Sequence, residues 1–146
     1  MLKGSCLCGA VKFKCSIQKQ SYVFCHCNSC KKASGSAFGA NVSVNKHEFE
    51  LISGEQVLNS FESSPGKHRY FCRNCGSPIY TLTDRQPDML RVRLGSLDSE
   101  FTQQPAAHIF VAEKAGWFDG GKEMPEFGTW PDPDKIQLQG SLQEEG

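Results

Sequence analysis

The sequence predicts a mainly β fold of antiparallel sheets with little helix, stapled together at clustered cysteines. Three observations carry that prediction. Short strand-like runs recur with only a few turn residues between them. Helical periodicity is weak along the whole chain. Seven of the eight cysteines fall into three tight groups: Cys6-Leu7-Cys8, Cys25-His26-Cys27-Asn28-Ser29-Cys30 and Cys72-Arg73-Asn74-Cys75.

The first strand is expected at Ala10-Val11-Lys12-Phe13-Lys14-Cys15, where apolar and charged residues alternate. Val11, Phe13 and Cys15 share one face, and Cys15, outside the clusters, reads as a small core residue. Further strands are expected over residues 21–24, 38–44, 48–52, 56–61, 68–71, 78–82, 90–94 and 107–112. Turn residues separate them at Ser53-Gly54-Glu55, Ser63-Ser64-Pro65-Gly66 and Asp84-Arg85-Gln86-Pro87-Asp88. A short helix is expected over 28–33, with Asn28 or Ser29 near its start, and a single helical turn over 100–106. Residues 1–131 read as one metal-stapled domain and 132–146 as a polar tail, loose over 139–146.

At 146 residues the chain is long enough to bury a real core. Sixteen Lys and Arg balance sixteen Asp and Glu. That neutrality offers no attraction to a phosphate backbone or an anionic membrane, so neither nucleic acid nor membrane is an expected partner. The start shows no apolar signal region, and no run approaches the ~18 apolar residues of a membrane span. A cytoplasmic location is expected, where thiols stay reduced and open to metals. Disulfides are disfavoured, because bridges preferentially join separate segments with Cα atoms about 5.5 Å apart. A redox reading of either C-x-x-C needs a βαβ context that the pattern lacks.

The clusters divide into two unequal sites. In Cys72-x-x-Cys75-Gly76 the glycine permits the positive φ of a tight zinc knuckle, and Cys6-x-Cys8-Gly9 is its natural complement. Four thiolates make a closed, structural zinc site that couples metal binding to folding. Cys25, Cys27 and Cys30 remain: three donors, with a fourth position open to substrate. Three thiolates on Zn²⁺ leave a net charge near −1, which suits a thiol substrate better than water activation. Alternatively His26, His47, His68 or a mobile cysteine closes this site, although His26, between two ligands, is expected to point away. A pairing of Cys27 and Cys30 with Cys72 and Cys75 would strand Cys6, Cys8 and Cys25.

Three segments carry a resemblance: Gly4-Ser5-Cys6-Leu7-Cys8-Gly9-Ala10-Val11, Cys25-His26-Cys27-Asn28-Ser29-Cys30-Lys31-Lys32 and Arg69-Tyr70-Phe71-Cys72-Arg73-Asn74-Cys75-Gly76. Together with residues 108–117 and Pro125-Glu126-Phe127, they resemble the glutathione-dependent formaldehyde-activating enzyme family, which includes centromere protein V. The resemblance implies coiled antiparallel sheets, the β-tent. It also implies two zinc ions per chain, a structural one on Cys6, Cys8, Cys72 and Cys75 and a catalytic one on Cys25, Cys27 and Cys30. The activity implied is a carbon–sulfur lyase reaction run in reverse, joining glutathione and formaldehyde into S-(hydroxymethyl)glutathione.

The partners expected are thus a small thiol and a small aldehyde. Lys31 and Lys32 are candidates to hold a substrate carboxylate, and Arg69 or Trp117 to flank the pocket, although such residues are more often solvated or packed. A zinc-stapled protein-binding module without catalysis is the alternative, and a thiol sensor releasing zinc on oxidation a third reading.

Overall fold

The computed structural model describes residues 1–17, 22–119, 124–132 and 134. Met1–Ala115 form one compact unit and Gly116–Gly146 a second. In the second, the described residues contain no strand or helix, and the side chains of Trp117 and Trp130 are exposed. The expected start of a strand at Ser21 and the loose stretch 139–146 lie outside the described residues. No helix among the described residues is long and apolar enough to cross a membrane.

The first unit is mainly β. Its strands are β1 (Leu2–Ser5), β2 (Lys12–Cys15), β3 (Val23–Cys25), β4 (Gly39–Asn45), β5 (Phe49–Ser53), β6 (Leu58–Ser64), β7 (Lys67–Cys72), β8 (Pro78–Thr83), β9 (Gln86–Arg93) and β10 (Ala107–Ile109); α1 spans Asn28–Ser34. Three strands form a small sheet in the order β1-β2-β5, and seven form a larger one in the order β10-β3-β4-β9-β8-β7-β6. Neighbours pair antiparallel except β10, which adds parallel to β3.

The core lies between the sheets. Val11, Phe13 and Cys15 are fully buried, as the alternation over 10–15 requires. Opposite them sit Val42 and Val44 from β4, Ile79 from β8, and Leu90 and Val92 from β9. An aromatic chain ties the layers: Phe13 stacks on Phe49 at 5.1 Å, Phe49 meets Tyr80 edge-on at 5.3 Å, and Tyr80 stacks on Tyr70 at 4.5 Å. Each such pair adds about 0.5–1.5 kcal/mol beyond its buried area.

Four local expectations change. Residues 100–106 contain no helical turn; the Ala106 N–H instead bonds the Tyr22 carbonyl at 2.8 Å, starting the approach of β10 to β3. The turn expected over 84–88 shrinks to Asp84-Arg85, because β9 already begins at Gln86. Pro87 is tolerated there because the pairing of β9 with β4 starts only at Met89, so its missing N–H breaks no ladder on that side. The strand expected over 107–112 stops at Ile109, since Phe110 takes a left-handed φ of 56° and a 3₁₀ turn follows over Val111–Glu113. Finally, β1 forms on a segment with no alternation: Gly4 lets it lie against Phe13, and a Cβ there would come within 2.2 Å of the ring.

Candidate metal centres

Two knuckles of equivalent build bring Cys6, Cys8, Cys72 and Cys75 together. Cys6 N–H bonds the Val11 carbonyl at 3.0 Å, and Cys72 N–H bonds the Ser77 carbonyl at 2.9 Å. Each knuckle closes on a glycine with positive φ, 79° at Gly9 and 77° at Gly76. The four sulfurs lie within 4.8 Å of one another. Cys6 and Cys8 are 3.6 Å apart and Cys8 and Cys72 3.8 Å. Sulfurs about 2.3 Å from a tetrahedral zinc are about 3.8 Å apart, whereas a disulfide needs ~2.05 Å. All eight cysteines are free, so the spacing is that of ligands. Polar hydrogens favour the thiolate at Cys6 and Cys75. Val11 N–H donates to Cys6 Sγ at 3.2 Å. The Ser77 hydroxyl, 3.2 Å from Cys75, together with the Ser77 and Cys8 N–H groups, holds the Cys75 thiol down at about 5.

The second cluster, Cys25, Cys27 and Cys30, has its three sulfurs within 4.8 Å of one another. Cys25 ends β3, held between Gly39 of β4 and Ile109 of β10. Cys27 is the N-cap of α1, and its sulfur accepts the Cys30 N–H at 3.3 Å, so capping geometry aims both thiols to one side. Gly35 ends the helix with φ 64° and its N–H on the Lys31 carbonyl. Among the described residues no fourth His, Cys, Asp or Glu completes the cluster. Burial pushes the Cys25 thiol up to about 12, while for Cys27 the Cys30 N–H and the neighbouring thiols outweigh burial and lower it. The two clusters could each bind a metal ion, and all-thiolate donor sets at this spacing are consistent with zinc.

The histidines take other roles. His26 is 1% exposed, its Nε2 lies 2.7 Å from Nδ1 of His108, and its ring meets Phe38. Burial, then the nearby His108, pushes its pKa down. His68 sits between Asp84 at 3.0 Å and Glu62 at 3.7 Å, and His47 is exposed. None of them joins a cysteine group.

Of the two lysines considered for a substrate carboxylate, Lys31 reaches the backbone carbonyl of Glu113 and Lys32 is exposed. Asn28 Nδ2 bonds Glu113 Oε1 at 2.9 Å, which secures α1 to the 3₁₀ turn. The residue that sequence reasoning missed is Arg93. Only 6% exposed, it lines a cavity of about 710 Å³ with Ser34, Ser36, Phe38 and Ser96. A Cβ placed on Gly39 would be 2.9 Å from Arg93 Nη1 and 3.2 Å from Cys30 Cβ, so these two atoms are no more than about 6 Å apart. The only sequence signal was the charged pair Arg91 and Arg93 at period two in an apolar strand. Arg69 lines a second cavity of about 180 Å³ with Arg93.

A profile of the family described as glutathione-dependent formaldehyde-activating enzyme matches residues 1–113. A Halomonas elongata protein named as a candidate glutathione-dependent formaldehyde-activating enzyme is 30% identical over 128 residues, 82% of this chain and 80% of that one. An uncharacterized lyase of Schizosaccharomyces pombe is 32% identical over 78 residues, 53% of this chain and 55% of its own length. A crystal structure of a Rhodobacter sphaeroides protein superposes with a TM-score of 0.62 at 18% identity, covering 73% of this chain and 99% of that one, a likeness of fold. With the profile spanning most of the chain and both cysteine clusters, the chain belongs to the glutathione-dependent formaldehyde-activating enzyme family.

Proposed function

We propose that this protein is a zinc-dependent carbon–sulfur lyase-type enzyme that adds a small thiol, glutathione or a similar one, to a small aldehyde such as formaldehyde. The observation that carries the reading is the cluster of three thiols with no fourth protein donor among the described residues. A zinc ion there supplies a coordination position at which a substrate thiol gives up its proton. Cys25, Cys27 and Cys30 would hold it, and Cys6, Cys8, Cys72 and Cys75 would hold a second, structural zinc.

The rest of the chemistry belongs to the chain. The β3–β4–β10 pairing and the α1 cap fix the three sulfurs in place, so little reorganisation accompanies substrate entry. Cys27 is partly exposed, the side from which a thiol would approach. Arg93 supplies positive charge against a three-thiolate site of net charge near −1, attracting a second anionic group. In the reaction, the substrate sulfur forms a bond to the aldehyde carbon, the carbonyl π pair moves onto oxygen, and the proton released from the thiol ends on that oxygen. No oxidant or reductant is consumed.

The test is NMR exchange between glutathione and formaldehyde with zinc-loaded protein. Exchange faster than the uncatalysed rate, abolished in Cys27→Ser together with one of two bound zinc ions, supports the reading. A background rate at full zinc loading would sink it, and saturable protein binding unaffected by Cys27→Ser would favour a binding module.

A further inference from the structure

The face of the seven-stranded sheet turned away from the core is cationic along its middle. Register places Arg69 opposite Thr81, Thr81 opposite Arg91, and Arg93 opposite Asn41. Alternation therefore puts all three arginines on the side away from Tyr70, Tyr80 and Val92. Each has a buried guanidinium nitrogen with no hydrogen-bond partner among the described residues: Nη2 of Arg69, and Nη1 of Arg91 and of Arg93. The other contacts are neutral. Arg69 Nε donates to Ser63 Oγ at 2.9 Å and Arg91 Nη2 to Gln86 Oε1 at 2.6 Å.

Among the described residues no carboxylate forms an ion pair with them: Lys14 pairs with Glu50, and His68 with Glu62 and Asp84. Asn41 Oδ1, across the ladder from Arg93, is a buried acceptor without a partner among the described residues, and it carries no charge. Buried charged donors without acceptors are costly, and a bound water, ion or ligand that accepts from them removes that cost. Arg69 and Arg93 both line the 180 Å³ cavity, along with Ala33 of α1, Phe61 and Thr81. Arg93 also borders the larger cavity and lies beside Cys30. Arg93 is thus the residue that borders both cavities and approaches the three-cysteine cluster at Cys30. The small volume, about six waters at ~30 Å³ each, suits a carboxylate on a short stem.

We propose that Arg69 and Arg93 form a carboxylate subsite, so that this protein selects a thiol whose molecule carries a carboxylate near its sulfur. The inference rests on the reading of Cys25, Cys27 and Cys30 as the thiol's docking point. The planar fork of arginine matches a carboxylate through two parallel N–H donors, which explains arginine rather than lysine at both positions.

The test separates the subsite from the chemistry by using a ligand with no free thiol. S-methylglutathione and its dimethyl ester are titrated into the zinc-loaded full chain by calorimetry. The acid is expected to bind at least tenfold more tightly than the ester, and more weakly as salt is raised. Arg69→Gln should bring the two ligands to within about threefold with both zinc ions retained. Arg69→Lys, which keeps the charge and loses the fork, should restore only part of the preference. Equal binding of acid and ester by the unaltered protein, or no binding of either, overturns the subsite without any variant having to fold. An acid preference in a protein that fails to accelerate glutathione–formaldehyde exchange leaves the subsite standing and removes the proposed reaction. The reverse pair of results removes the subsite alone.

Discussion

Cys72 and Cys15 offer a matched pair for asking whether the four-cysteine cluster holds the fold. Both are fully buried in the same core, and replacement by alanine removes the same sulfur from each. At Cys15 the loss is packing alone, about 1 kcal/mol. At Cys72 a ligand goes as well. Structural zinc contributes about 10–16 kcal/mol over its ligands in small zinc peptides, so one of four thiolates carries about 3 kcal/mol. Cys72→Ala should therefore cost about 4 kcal/mol, against a total stability of ~5–15 kcal/mol. For a chain of this size that lowers Tm by about 12–16 °C, against about 3–4 °C for Cys15→Ala. The assay is thermal unfolding by circular dichroism in zinc-buffered solution, with zinc per chain measured on the same samples. A chelator should narrow the gap between the variants. Equal shifts in the presence of zinc would refute the claim that this cluster couples metal to folding.

The remaining predictions are narrower. Cys27→Ser should lose the second zinc, and with metal removed from both proteins should change stability by less than about 1 kcal/mol, because serine caps a helix as well as cysteine does; zinc count and Tm with and without chelator check it. Gly76→Ala should cost about 1–2 kcal/mol from its left-handed φ alone, since a Cβ there meets nothing within 4 Å. Gly54→Ala should cost more by the same denaturant titration, because its Cβ would lie 2.5 Å from the Ala10 carbonyl oxygen. His26 is held below its ordinary value of 6.5, so the unfolded chain takes up a proton that the folded one refuses. Stability from this group is therefore complete above about pH 6.5 and declines as pH falls below it. Denaturation midpoints between pH 7 and 5 should show the decline, and His26→Gln should flatten it.

Much of the site could be read from the chain because its information is local. A knuckle is a few residues long, and Cys6-x-Cys8-Gly9 and Cys72-x-x-Cys75-Gly76 declare their turns through their glycines. Cys27 and Cys30 lie three apart across a helix N-terminus, a spacing that itself brings their sulfurs together. The alternation of Val11, Phe13 and Cys15 specified a buried face for the same reason. Strand boundaries were less legible at 84–88 and 107–112, where pairing partners rather than composition decide where a strand stops. Segment 100–106 went against its helical expectation because β3 was available to bond it.

The clustered cysteines alone thus established two sets of thiols, four and three, and with them the expectation of metal. Only the tertiary structure could decide what surrounds them. Arg69 and Arg93 lie more than twenty residues apart in sequence; Arg69 could be named only as one of several pocket candidates, and Arg93 not at all. Sheet register and the packing of α1 put them in one cavity beside Cys30 with buried, unpartnered nitrogens. Ligand spacing is a property of a few bonds and survives in sequence. A charged pocket is a sum over strands that meet only when the sheet forms.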